Sequence, residues 1–446
     1  MALEERIEDL SARICVIGLG YVGLPLTVEL ARVGFNVAGL DVDARKVEAI
    51  NRGESYIKDV KSGDVAEQIS RGRLTATSDY GAIESMDIIF ICVPTPFNAM
   101  KAPDLSFIIS AAEGITEHLQ KGQLIILQST TYPGTTEEVV LPILSRNGLK
   151  AGEDFFLAFS PERINPGDRV YSVANTPKVV GGLTPRCAEL ARLILAHLTK
   201  DVHVVSTPRA AEMTKLLENI FRSVNIALVN ELALLSERMN IDIWEVIQAA
   251  STKPFGFMPF YPGPGTGGHC IPVDPYYLSW KAREYDFYTK FIELAAEINQ
   301  GMPYHVVGII RDGLNRQGKN LLGAQVLILG VAFKRDVDDA RNSPSGRIIE
   351  LLLERGAEVT YNDPHVPIFH VGGDAFHRES VEMESCPLSE GFLEQQDCVV
   401  IVAGHSIHDY AWIAEHASLI VDCVNVTRGA RGDGRILRVG APLPKS

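Results

Sequence analysis

The chain has 446 residues, of which 46% are hydrophobic and 22% charged, as is typical of a globular protein with two or three domains. Its formal net charge of -14 argues against nucleic-acid binding, which depends on a basic surface that neutralises phosphates. The seven scattered cysteines without a CxxC pair, the acidic first residues and the lack of a long apolar run predict a cytoplasmic protein without signal peptide or membrane span.

The first predicted elements are a strand, a glycine turn and a helix. The apolar run RICVI leads into GLGYVG at 18–23, and the helix that follows ends at Gly34. In this context the glycines let a pyrophosphate approach a helix N-terminus. The next strand ends at Asp41, whose carboxylate can bind the adenosine ribose and so favours NAD over NADP, although Arg45 and Lys46 follow closely. A turn that needs glycines only for its own shape is the alternative.

Three further apolar strands, within 86–94, 122–130 and 155–162, end in the polar turns VPTP, STTYPGTT and SPERINPGD. Ligands bind at the carboxyl ends of strands in open parallel sheets, so we expect these turns to line one cleft with the glycine turn. The hydroxyls of Ser129, Thr130 and Thr131 either cap the next helix or bind a ligand. The strands KVVGG and DVHVVS follow.

A long helix is predicted from Arg209 to about Asn240, because apolar residues recur there at helical spacing without glycine or proline. Its length suits a spine and a subunit interface. Lys215 and Asn219 lie one turn apart on it, although Lys215 can also be a solvated residue. A short helix and a loop follow, and then a second helix from about Glu284 to Gln300.

The loop between these helices contains YPGPGTGGHCIPVD, from Tyr261 to Asp274. Its glycines allow a ligand to approach the backbone, and Cys270 behind them offers a thiolate, the side chain best suited to covalent catalysis at neutral pH. Asp274 can orient a water molecule or take a proton. A buried cysteine with a purely structural role is the alternative interpretation.

A second α/β pattern is predicted beyond Pro303. A strand within 324–334 is followed by a helix that begins near Ser343 or Pro344 and stops at Gly356, and AEVTYNDP, CVVIVA and LIVDCVN are further strands.

The first turn of this second pattern, GVAFKRDVDDARNSP, lacks the glycine spacing of the first. It carries Lys334, Arg335 and Arg341 instead, which favours a cationic contact with a different phosphorylated ligand. His365, His370 and His377 lie in a stretch that looks irregular and has no metal-ligand spacing, so we predict no metal site.

Seven motifs in order, GLGYVG, CVPTP, STTYPGTT, SPERINPGD, AEMTKLLENIF, GPGTGGHCIPVD and AFKRDVDDARNSP, resemble the UDP-glucose/GDP-mannose dehydrogenase family over the whole chain. Within it the chain is most similar to UDP-N-acetylglucosamine 6-dehydrogenases. The resemblance implies an α/β fold with an N-terminal NAD-binding Rossmann domain at 1–207, a central all-helical dimerisation domain with the cysteine loop at 208–305, and a C-terminal Rossmann-like UDP-sugar-binding domain at 306–446.

The resemblance also implies an activity, the NAD-dependent four-electron oxidation of the C6 hydroxyl of a UDP-N-acetylhexosamine to a carboxylate, through a cysteine thiohemiacetal and thioester. UDP-GlcNAc is the expected substrate and surface-polysaccharide synthesis the expected use. UDP-ManNAc, UDP-GalNAc and UDP-glucose are alternatives, a two-electron hydroxyacid dehydrogenase and a non-catalytic nucleotide-sugar sensor are remoter ones, and a homodimer or higher homo-oligomer is expected.

Matching the motifs residue by residue assigns the site. The catalytic residues are expected to be Cys270 as nucleophile, Lys215, Asn219, Asp274, Glu162 and Thr130. The expected cofactor-binding residues are Gly18, Gly20, Tyr21, Val22, Gly23, Asp41, Lys46, Val93, Pro94, Thr95, Ser129, Thr130 and Arg341. The expected substrate-binding residues are Glu162, Arg163, Lys215, Asn219, Tyr261, Gly263, Gly265, Gly267, Phe333 and Lys334.

The chain departs from the UDP-glucose enzymes at three positions. Pro166 stands where they have a second glutamate, and Lys253-Pro254 where they have an arginine that reaches the partner subunit. Both changes fit a site reshaped for an N-acetyl group. Val424 replaces the arginine of their D-x-R-N motif, which removes a basic contact unless Arg428 supplies it.

Overall fold

The computed structural model describes residues 2–98, 102–163, 171, 173–268, 271–372, 380–430 and 435–443. The chain forms two compact units. The first contains Met1–Glu218 and Tyr276–Asp286, and the second contains Asn219–Pro275 and Phe287–Ser446. Cys270, Pro166 and His377, which are named in the predictions above, lie outside the described residues.

The first unit is built on one eight-stranded sheet in the order β3-β2-β1-β4-β5-β6-β7-β8. Its strands are β1 Arg13–Ile17, β2 Asn36–Leu40, β3 Leu74–Thr77, β4 Ile88–Ile91, β5 Leu124–Leu127, β6 Phe156–Phe159, β7 Lys178–Gly182 and β8 Val202–Val205. Its helices are α1 Leu3–Glu8, α2 Gly23–Val33, α3 Ala44–Asn51, α4 Ser62–Ser70, α5 Ser106–His118, α6 Leu141–Leu144 and α7 Pro185–Ala196. The strands predicted from apolar runs are therefore present, in a doubly wound arrangement.

The sheet of the first unit is buried on both faces. Along β1, Ile14 and Val16 pack into one apolar cluster, whereas Cys15 and Ile17 pack into another. Because successive side chains of a strand point to opposite faces, this alternation places a core on each side of the sheet. This explains why the strands are near-continuous apolar runs in the sequence.

The last two strands of this sheet, β7 and β8, run opposite to the other six. β6 pairs with β7 in the antiparallel direction, with Phe159 opposite Gly181 and Ala158 opposite Gly182, while every other neighbouring pair in the sheet is parallel. The reversal has a consequence at the candidate site, because it brings the beginning of β7 beside the residues that follow β6.

Two helices continue from one unit into the other. α8 spans Pro208–Met239, as the helical spacing predicts, and α10 spans Asp274–Ala282. Of the helices α1 to α8 and α10, only α2 and α8 were predicted from the sequence; α1, α3 to α7 and α10 were not.

The second unit contributes the helices α9 Ile243–Ala250, α11 Lys290–Arg316, α12 Pro344–Leu353, α13 Glu390–Glu394 and α14 Tyr410–His416. None of the helices in the described ranges is long and apolar enough to cross a membrane.

The expectation that the second long helix ends at Gln300 was wrong. α11 continues through Pro303 to Arg316. A proline removes the hydrogen bond to the carbonyl four residues earlier, here that of Asn299. That carbonyl lies next to Gly265, where a Cβ would come within 3.0 Å of its oxygen. The Asn299 carbonyl oxygen therefore lacks its usual backbone N–H donor within the helix, at the point where the glycine loop approaches α11 at Gly265.

The second unit also contains a five-stranded parallel sheet in the order β10-β9-β13-β14-β15. Its strands are β9 Gln325–Leu329, β10 Glu358–Asn362, β13 Cys398–Ile401, β14 Ile420–Asp422 and β15 Ile436–Arg438. As predicted, α12 follows β9, and Ser343 caps it by accepting a hydrogen bond from the backbone N–H of Ser345.

The stretch that we expected to be irregular is partly a hairpin. β11 Ile368–Gly372 and β12 Ser380–Glu384 pair antiparallel, and His370 lies on β11. His370, Glu382 and Glu384 interrupt the apolar residues of these strands, so no continuous apolar run predicted them.

Candidate functional site

The glycine turn of the first unit has the geometry that a dinucleotide requires. Gly18 has a φ of 90°, and a Cβ on it would meet the Cys92 carbonyl oxygen at 2.7 Å. A Cβ on Gly23 would lie 1.8 Å from the Gly18 carbonyl oxygen, whereas Gly20 has nothing within 4 Å of its Cβ position. Two glycines thus allow the turn and helix to pack, and Gly20 presents bare backbone to a ligand at the start of α2. Val22 precedes that helix, and Tyr21 is partly exposed.

Asp41 at the end of β2 is held against the glycine turn. Its carboxylate accepts hydrogen bonds from the backbone N–H of Leu19 at 2.8 Å and of Asp43 at 2.9 Å, and Lys46 Nζ lies 3.0 Å from Oδ2. Arg45 forms a two-pronged ion pair with Asp43. Both cations that had favoured a 2′-phosphate are therefore paired with aspartates, which supports NAD.

The turns after β4 and β5 are tied to each other. Ser129 Oγ donates a hydrogen bond to the Val93 carbonyl oxygen at 2.8 Å. Thr95 is buried, and its carbonyl oxygen accepts a hydrogen bond from the Tyr277 hydroxyl on α10. Pro94 is exposed and Thr130 half-buried, so this end of the sheet offers accessible atoms on a fixed backbone.

Glu162, three residues beyond β6, lies in a buried polar cluster. Its carboxylate accepts hydrogen bonds from Lys178 Nζ at 2.7 Å, from Gln128 Nε2 at 3.0 Å and from the backbone N–H of Arg163 at 2.7 Å. The Arg163 guanidinium pairs with Glu218 on α8 at 2.6 Å. Neither Lys178 nor Gln128 was singled out from the sequence; the only sign of Lys178 was a charged residue at the start of the apolar strand KVVGG.

Helix α8 carries Lys215 and Asn219, both buried, at 7% and 5% exposure. Lys215 forms no hydrogen bond or ion pair with any residue in the described ranges. Asn219 Nδ2 donates a hydrogen bond to Asp274 Oδ2 at 2.5 Å, and Asp274 is also buried. The predicted pair Asn219 and Asp274 is thus brought together, in the second unit.

Glu212 holds α8 to the turn after β5. Its carboxylate accepts hydrogen bonds from the backbone N–H of Gly134 at 2.6 Å and of Thr136 at 2.9 Å, and from the Thr136 hydroxyl at 2.6 Å. Burial raises the pKa of this carboxyl above its ordinary value, and the three donors oppose that shift. This contact too was missed, because one glutamate in a helix gives no sign of its distant partner.

In the second unit the glycine loop lies against the turn after β9. The Gly268 N–H donates a hydrogen bond to the Arg341 carbonyl oxygen at 2.9 Å, and a Cβ on Gly267 would lie 2.8 Å from the Phe333 Cβ. Lys334 Nζ lies 5.8 Å from the centre of the Phe333 ring. The predicted substrate-binding residues Gly267, Phe333 and Lys334 are therefore neighbours.

The beginning of the same loop is fixed by asparagines. The Gly263 N–H donates to Asn230 Oδ1 at 3.0 Å, and Asn230 Nδ2 donates to Asn299 Oδ1 at 2.9 Å. Tyr261 is 54% exposed and stacks on Trp244, with ring centres 5.9 Å apart. Arg341, predicted near the cofactor, directs its guanidinium to Asp339 at 2.7 Å.

A cavity of about 550 Å³ lies in the second unit, beyond the carboxyl end of β14. Its lining includes Trp244, Gln248, Asn425, Arg428 and Arg438. Val424, at the position where the related enzymes have a basic residue, packs with apolar side chains instead. The lining also contains Asp242 and Glu245, and Arg438 pairs with Asp242 at 3.0 Å, so the two arginines are balanced by two carboxylates in this cavity.

Asp336, His365 and His405 approach one another in the second unit, with ligand atoms within 4.8 Å. The two ring nitrogens of His405 are already engaged: Nδ1 accepts a hydrogen bond from the Asp336 N–H at 3.0 Å, and Nε2 lies 3.0 Å from Asp363 Oδ2. A metal ion would have to displace the first of these bonds, so this cluster is better explained as a structural network.

Comparison with known proteins identifies the family. Family models of the UDP-glucose/GDP-mannose dehydrogenase family match the chain at 12–199 for the NAD binding domain, 209–301 for the central domain and 327–429 for the UDP binding domain. The three-domain fold class, the NAD cofactor and a UDP-binding domain are therefore confirmed; the exact domain boundaries stay a prediction.

Individual relatives agree with this family. The chain is 37% identical to a UDP-N-acetyl-D-glucosamine 6-dehydrogenase of Pseudomonas aeruginosa over 88% of this chain and 90% of that protein. It is 33% identical to an NDP-N-acetyl-D-galactosaminuronic acid dehydrogenase of Ralstonia nicotianae over 90% of this chain and 93% of that one.

A solved structure gives the same result for the fold. The UDP-D-ManNAc dehydrogenase of Pyrococcus horikoshii superposes with a TM-score of 0.86 at 31% identity, covering 96% of this chain and 99% of that chain. Together with the glycine turn and the paired cations beside it, these matches show that the chain belongs to the UDP-glucose/GDP-mannose dehydrogenase family and is an NAD-dependent nucleotide-sugar dehydrogenase.

Proposed function

We propose that this protein oxidises the C6 hydroxyl of UDP-N-acetylglucosamine to the carboxylate in two oxidation steps, the second of them on a sugar covalently bound to the enzyme. The observation that carries the proposal is the pair of buried polar residues on α8, Lys215 and Asn219, whose second member is bonded to Asp274. Asp274 follows Cys270 by four residues in the sequence.

The chemistry explains why a cysteine is required. The first oxidation converts the alcohol to an aldehyde, which has no second hydride to give until a nucleophile adds to its carbon. The Cys270 thiolate forms a C–S bond there and gives a thiohemiacetal, the second hydride leaves to produce a thioester, and water cleaves the C–S bond to release the carboxylate and the thiol. NAD, when bound at the glycine turn, supplies the acceptor for both hydrides.

Lys215 and Asn219 are proposed to stabilise the oxygen that becomes negative in each addition. Lys215 has no partner among the described residues, and a buried ammonium is costly unless an opposite charge is supplied, so Lys215 is suited to a developing oxyanion. The Asn219 amide has one orientation because its Nδ2 is bonded to Asp274. Glu162, Asp274 and Thr130 are proposed to hold the water and exchange protons.

The UDP moiety is proposed to bind the second unit. Lys334 offers an ammonium beside Phe333 and the glycines of the loop, which suits a diphosphate at a bare backbone. Arg428 lines the neighbouring cavity, where its guanidinium is bonded to Gln248 at 2.6 Å, and is the candidate replacement for the missing basic residue at Val424.

UDP-GlcNAc is preferred because the SPERINPGD and cysteine-loop motifs are most similar to those of the UDP-N-acetylglucosamine enzymes, and because a relative with this activity is 37% identical. UDP-ManNAc, UDP-GalNAc and UDP-glucose remain the alternatives, since one or two hydrogen bonds distinguish such epimers. We place the reaction in the cytoplasm, at the start of surface-polysaccharide synthesis; the six described cysteines are free thiols, as in a reducing compartment.

The test is a substrate panel. The purified protein is incubated with NAD and one of UDP-GlcNAc, UDP-ManNAc, UDP-GalNAc or UDP-glucose, and both NADH and the uronate are quantified. We expect two NADH per sugar with UDP-GlcNAc and the highest kcat/KM for it. One NADH per sugar with free aldehyde would contradict the covalent mechanism. If no sugar yields NADH, a non-catalytic nucleotide-sugar sensor would be the remaining interpretation.

Cys270→Ser is expected to abolish uronate formation, lowering kcat by at least about 1,000-fold, because a hydroxyl is a far weaker nucleophile at neutral pH. Cys187→Ser is the matched control, since Cys187 is a buried cysteine on α7 that lies outside the site. It should retain the wild-type stoichiometry, and a Cys270→Ser enzyme that still forms the uronate would refute the role of the thiol.

A further inference from the structure

Lys178 is a completely buried charged side chain beside the candidate site. It is 0% exposed, and Nζ lies 2.7 Å from Glu162 Oε2. The family resemblance and the sequence motifs assign it no role. A charge this deeply buried is expensive to maintain, and an apolar residue of similar size would be easier to accommodate in a strand.

The antiparallel pairing of β6 with β7 places the charges of Glu162 and Lys178 together. Ala158 is opposite Gly182 and Phe159 opposite Gly181. Continuing this register by count puts Glu162 opposite Lys178 and Arg163 opposite Pro177, and Arg163 Nη1 does donate a hydrogen bond to the Pro177 carbonyl oxygen at 2.9 Å. Residues directly opposite in a sheet share a face, so the contact is set by strand direction.

A second residue fixes the carboxylate from the other side. Gln128 Nε2 donates to Glu162 Oε2 at 3.0 Å, and Gln128 Oε1 accepts from Cys92 Sγ at 3.3 Å. Burial, followed by the negative charge of Glu162, raises the pKa of Cys92, which therefore stays a thiol and can donate that bond. The Gln128 amide is thereby oriented with its N–H₂ toward Glu162.

We propose that Lys178 is a positioning residue that keeps the Glu162 carboxylate ionised and in one orientation while it handles water or protons in the reaction. The inference rests on the proposed function of Glu162 and extends it to a residue that does not touch the substrate. Lys178 supplies the positive charge and Gln128 the neutral donor. Within the part of the chain that the structure describes, other ionisable groups at this cluster include Cys92, the nearby Cys15, the Arg163 guanidinium and its partner Glu218.

The test compares Lys178→Met and Lys178→Arg with wild type in kcat, KM and pH dependence. We expect Lys178→Met to lower kcat by about 100-fold with little change in the KM for NAD, because a positioned acid or base contributes about that much. The acidic limb of its kcat profile should move to higher pH, since a buried carboxylate without its cation holds a proton longer. Lys178→Arg keeps the charge and should recover most of kcat with the limb unshifted.

The decisive measurement is a double-mutant cycle. If Lys178 acts through Glu162, Lys178→Met should cause no further loss of kcat in a Glu162→Gln background. The double variant also removes both charges of the pair, so it can be measured even if Lys178→Met alone does not fold. An undiminished further loss in that background, or wild-type kcat and pH profile in folded Lys178→Met, would overturn the proposal.

Lys281→Met is the matched control. Lys281 is also a buried lysine of the first unit and pairs with Glu138 and Glu284, both at 2.6 Å. Its loss should lower stability in a similar way without moving the acidic limb, and a limb that moves equally in both variants would show a general effect and overturn the inference. Wild type is assayed alongside: if it oxidises no UDP-sugar, the proposed function fails, whereas an active wild type with an unaffected Lys178→Met refutes only the role of Lys178.

Discussion

The carboxylate of Glu212 accepts three hydrogen bonds while it is fully buried on α8. Its donors are two backbone N–H groups and a hydroxyl of the turn that begins after β5, at Gly134 and Thr136. This turn follows Ser129 and Thr130, and α8 carries Lys215 one turn beyond Glu212. One side chain therefore connects two parts of the candidate site within the first unit.

Glu212→Gln should reduce the free energy of unfolding by about 1–3 kcal/mol, because an amide N–H₂ would face at least one backbone donor and leave it unpaired. Glu153→Gln is the control, since the Glu153 side chain is 72% exposed and its loss should change stability little. Chemical denaturation of the wild type and the two variants measures these free energies. Equal stabilities of the wild type and Glu212→Gln would contradict the expectation.

The pH dependence of that difference follows from the raised pKa of Glu212. A carboxyl whose pKa is higher in the folded state binds its proton more tightly there, so the wild type loses stability as pH rises from about 4.5 through the folded-state pKa. Because the variant does not titrate at this position, the advantage of the wild type should shrink over this interval. An advantage that grows with pH would mean that the three donors outweigh burial.

Single residues differ in how far the sequence predicts their role. Lys215 and Asn219 could be placed on one helix face because helical spacing is a local property, and the structure confirms that they share α8. The partner of Lys178 could not be predicted, since it depends on the direction of β7, which no local pattern encodes. The same limit applies to Glu212, whose donors lie more than 70 residues away in the sequence.

Elements were predictable where apolar periodicity was strong. Most strands of both sheets and the helices α2, α8 and α12 follow their sequence patterns, whereas β3 and β15 were not predicted. The end of α11 was missed because Pro303 usually stops a helix, and here the helix continues past it. The short helix α1, the helix α10 and the β11–β12 hairpin carry no long periodic run of apolar residues, so they could not be predicted from the sequence pattern.

The turn between β1 and α2 allows two glycines to be tested against each other. Gly23→Ala should destabilise the protein and lower its Tm by at least about 3 °C, because the new methyl group would lie 1.8 Å from the Gly18 carbonyl oxygen. Gly20→Ala should leave the Tm unchanged, since no atom lies within 4 Å of its Cβ position.

NAD binding should be affected by the substitution at Gly20, which is the one that leaves stability unchanged. Gly20→Ala places a methyl group where the pyrophosphate approaches, so we expect the KM for NAD to rise by about tenfold or more while the KM for the UDP-sugar stays within about twofold. Thermal unfolding and steady-state kinetics distinguish the two variants. A Gly20→Ala enzyme with a normal KM for NAD would show that the cofactor does not pass over this turn.

At the scale of the whole molecule, the linear order of the chain differs from its compact units. Residues 276–286 follow the glycine loop in sequence but belong to the first unit, and α8 is shared between the two. Sequence motifs predict three consecutive domains, because a motif shows where a segment lies along the chain. It does not show which segments pack together. Some of the predicted site residues accordingly belong to the first unit and others to the second.

The surface of α8 in the second unit bears on the expected homodimer. Leu228, Leu232, Leu235 and Met239 recur at intervals of four and three residues and are 40–59% exposed. This spacing forms one stripe along the helix. Large apolar side chains aligned on an exposed helix face are typical of a surface that a second copy covers.

We expect the protein to be a dimer in solution and Leu228→Glu/Leu235→Glu to make it a monomer. Burying two leucines contributes about 3–6 kcal/mol, so replacing them with charges should raise the dimer Kd by at least about 100-fold. Light scattering after size-exclusion chromatography at several concentrations measures this, against a monomer mass of 48.8 kDa. Leu322→Glu is the control, because Leu322 is 78% exposed but lies away from α8, just before β9. A wild-type monomer, or a double variant with the wild-type mass, would exclude this stripe as the interface.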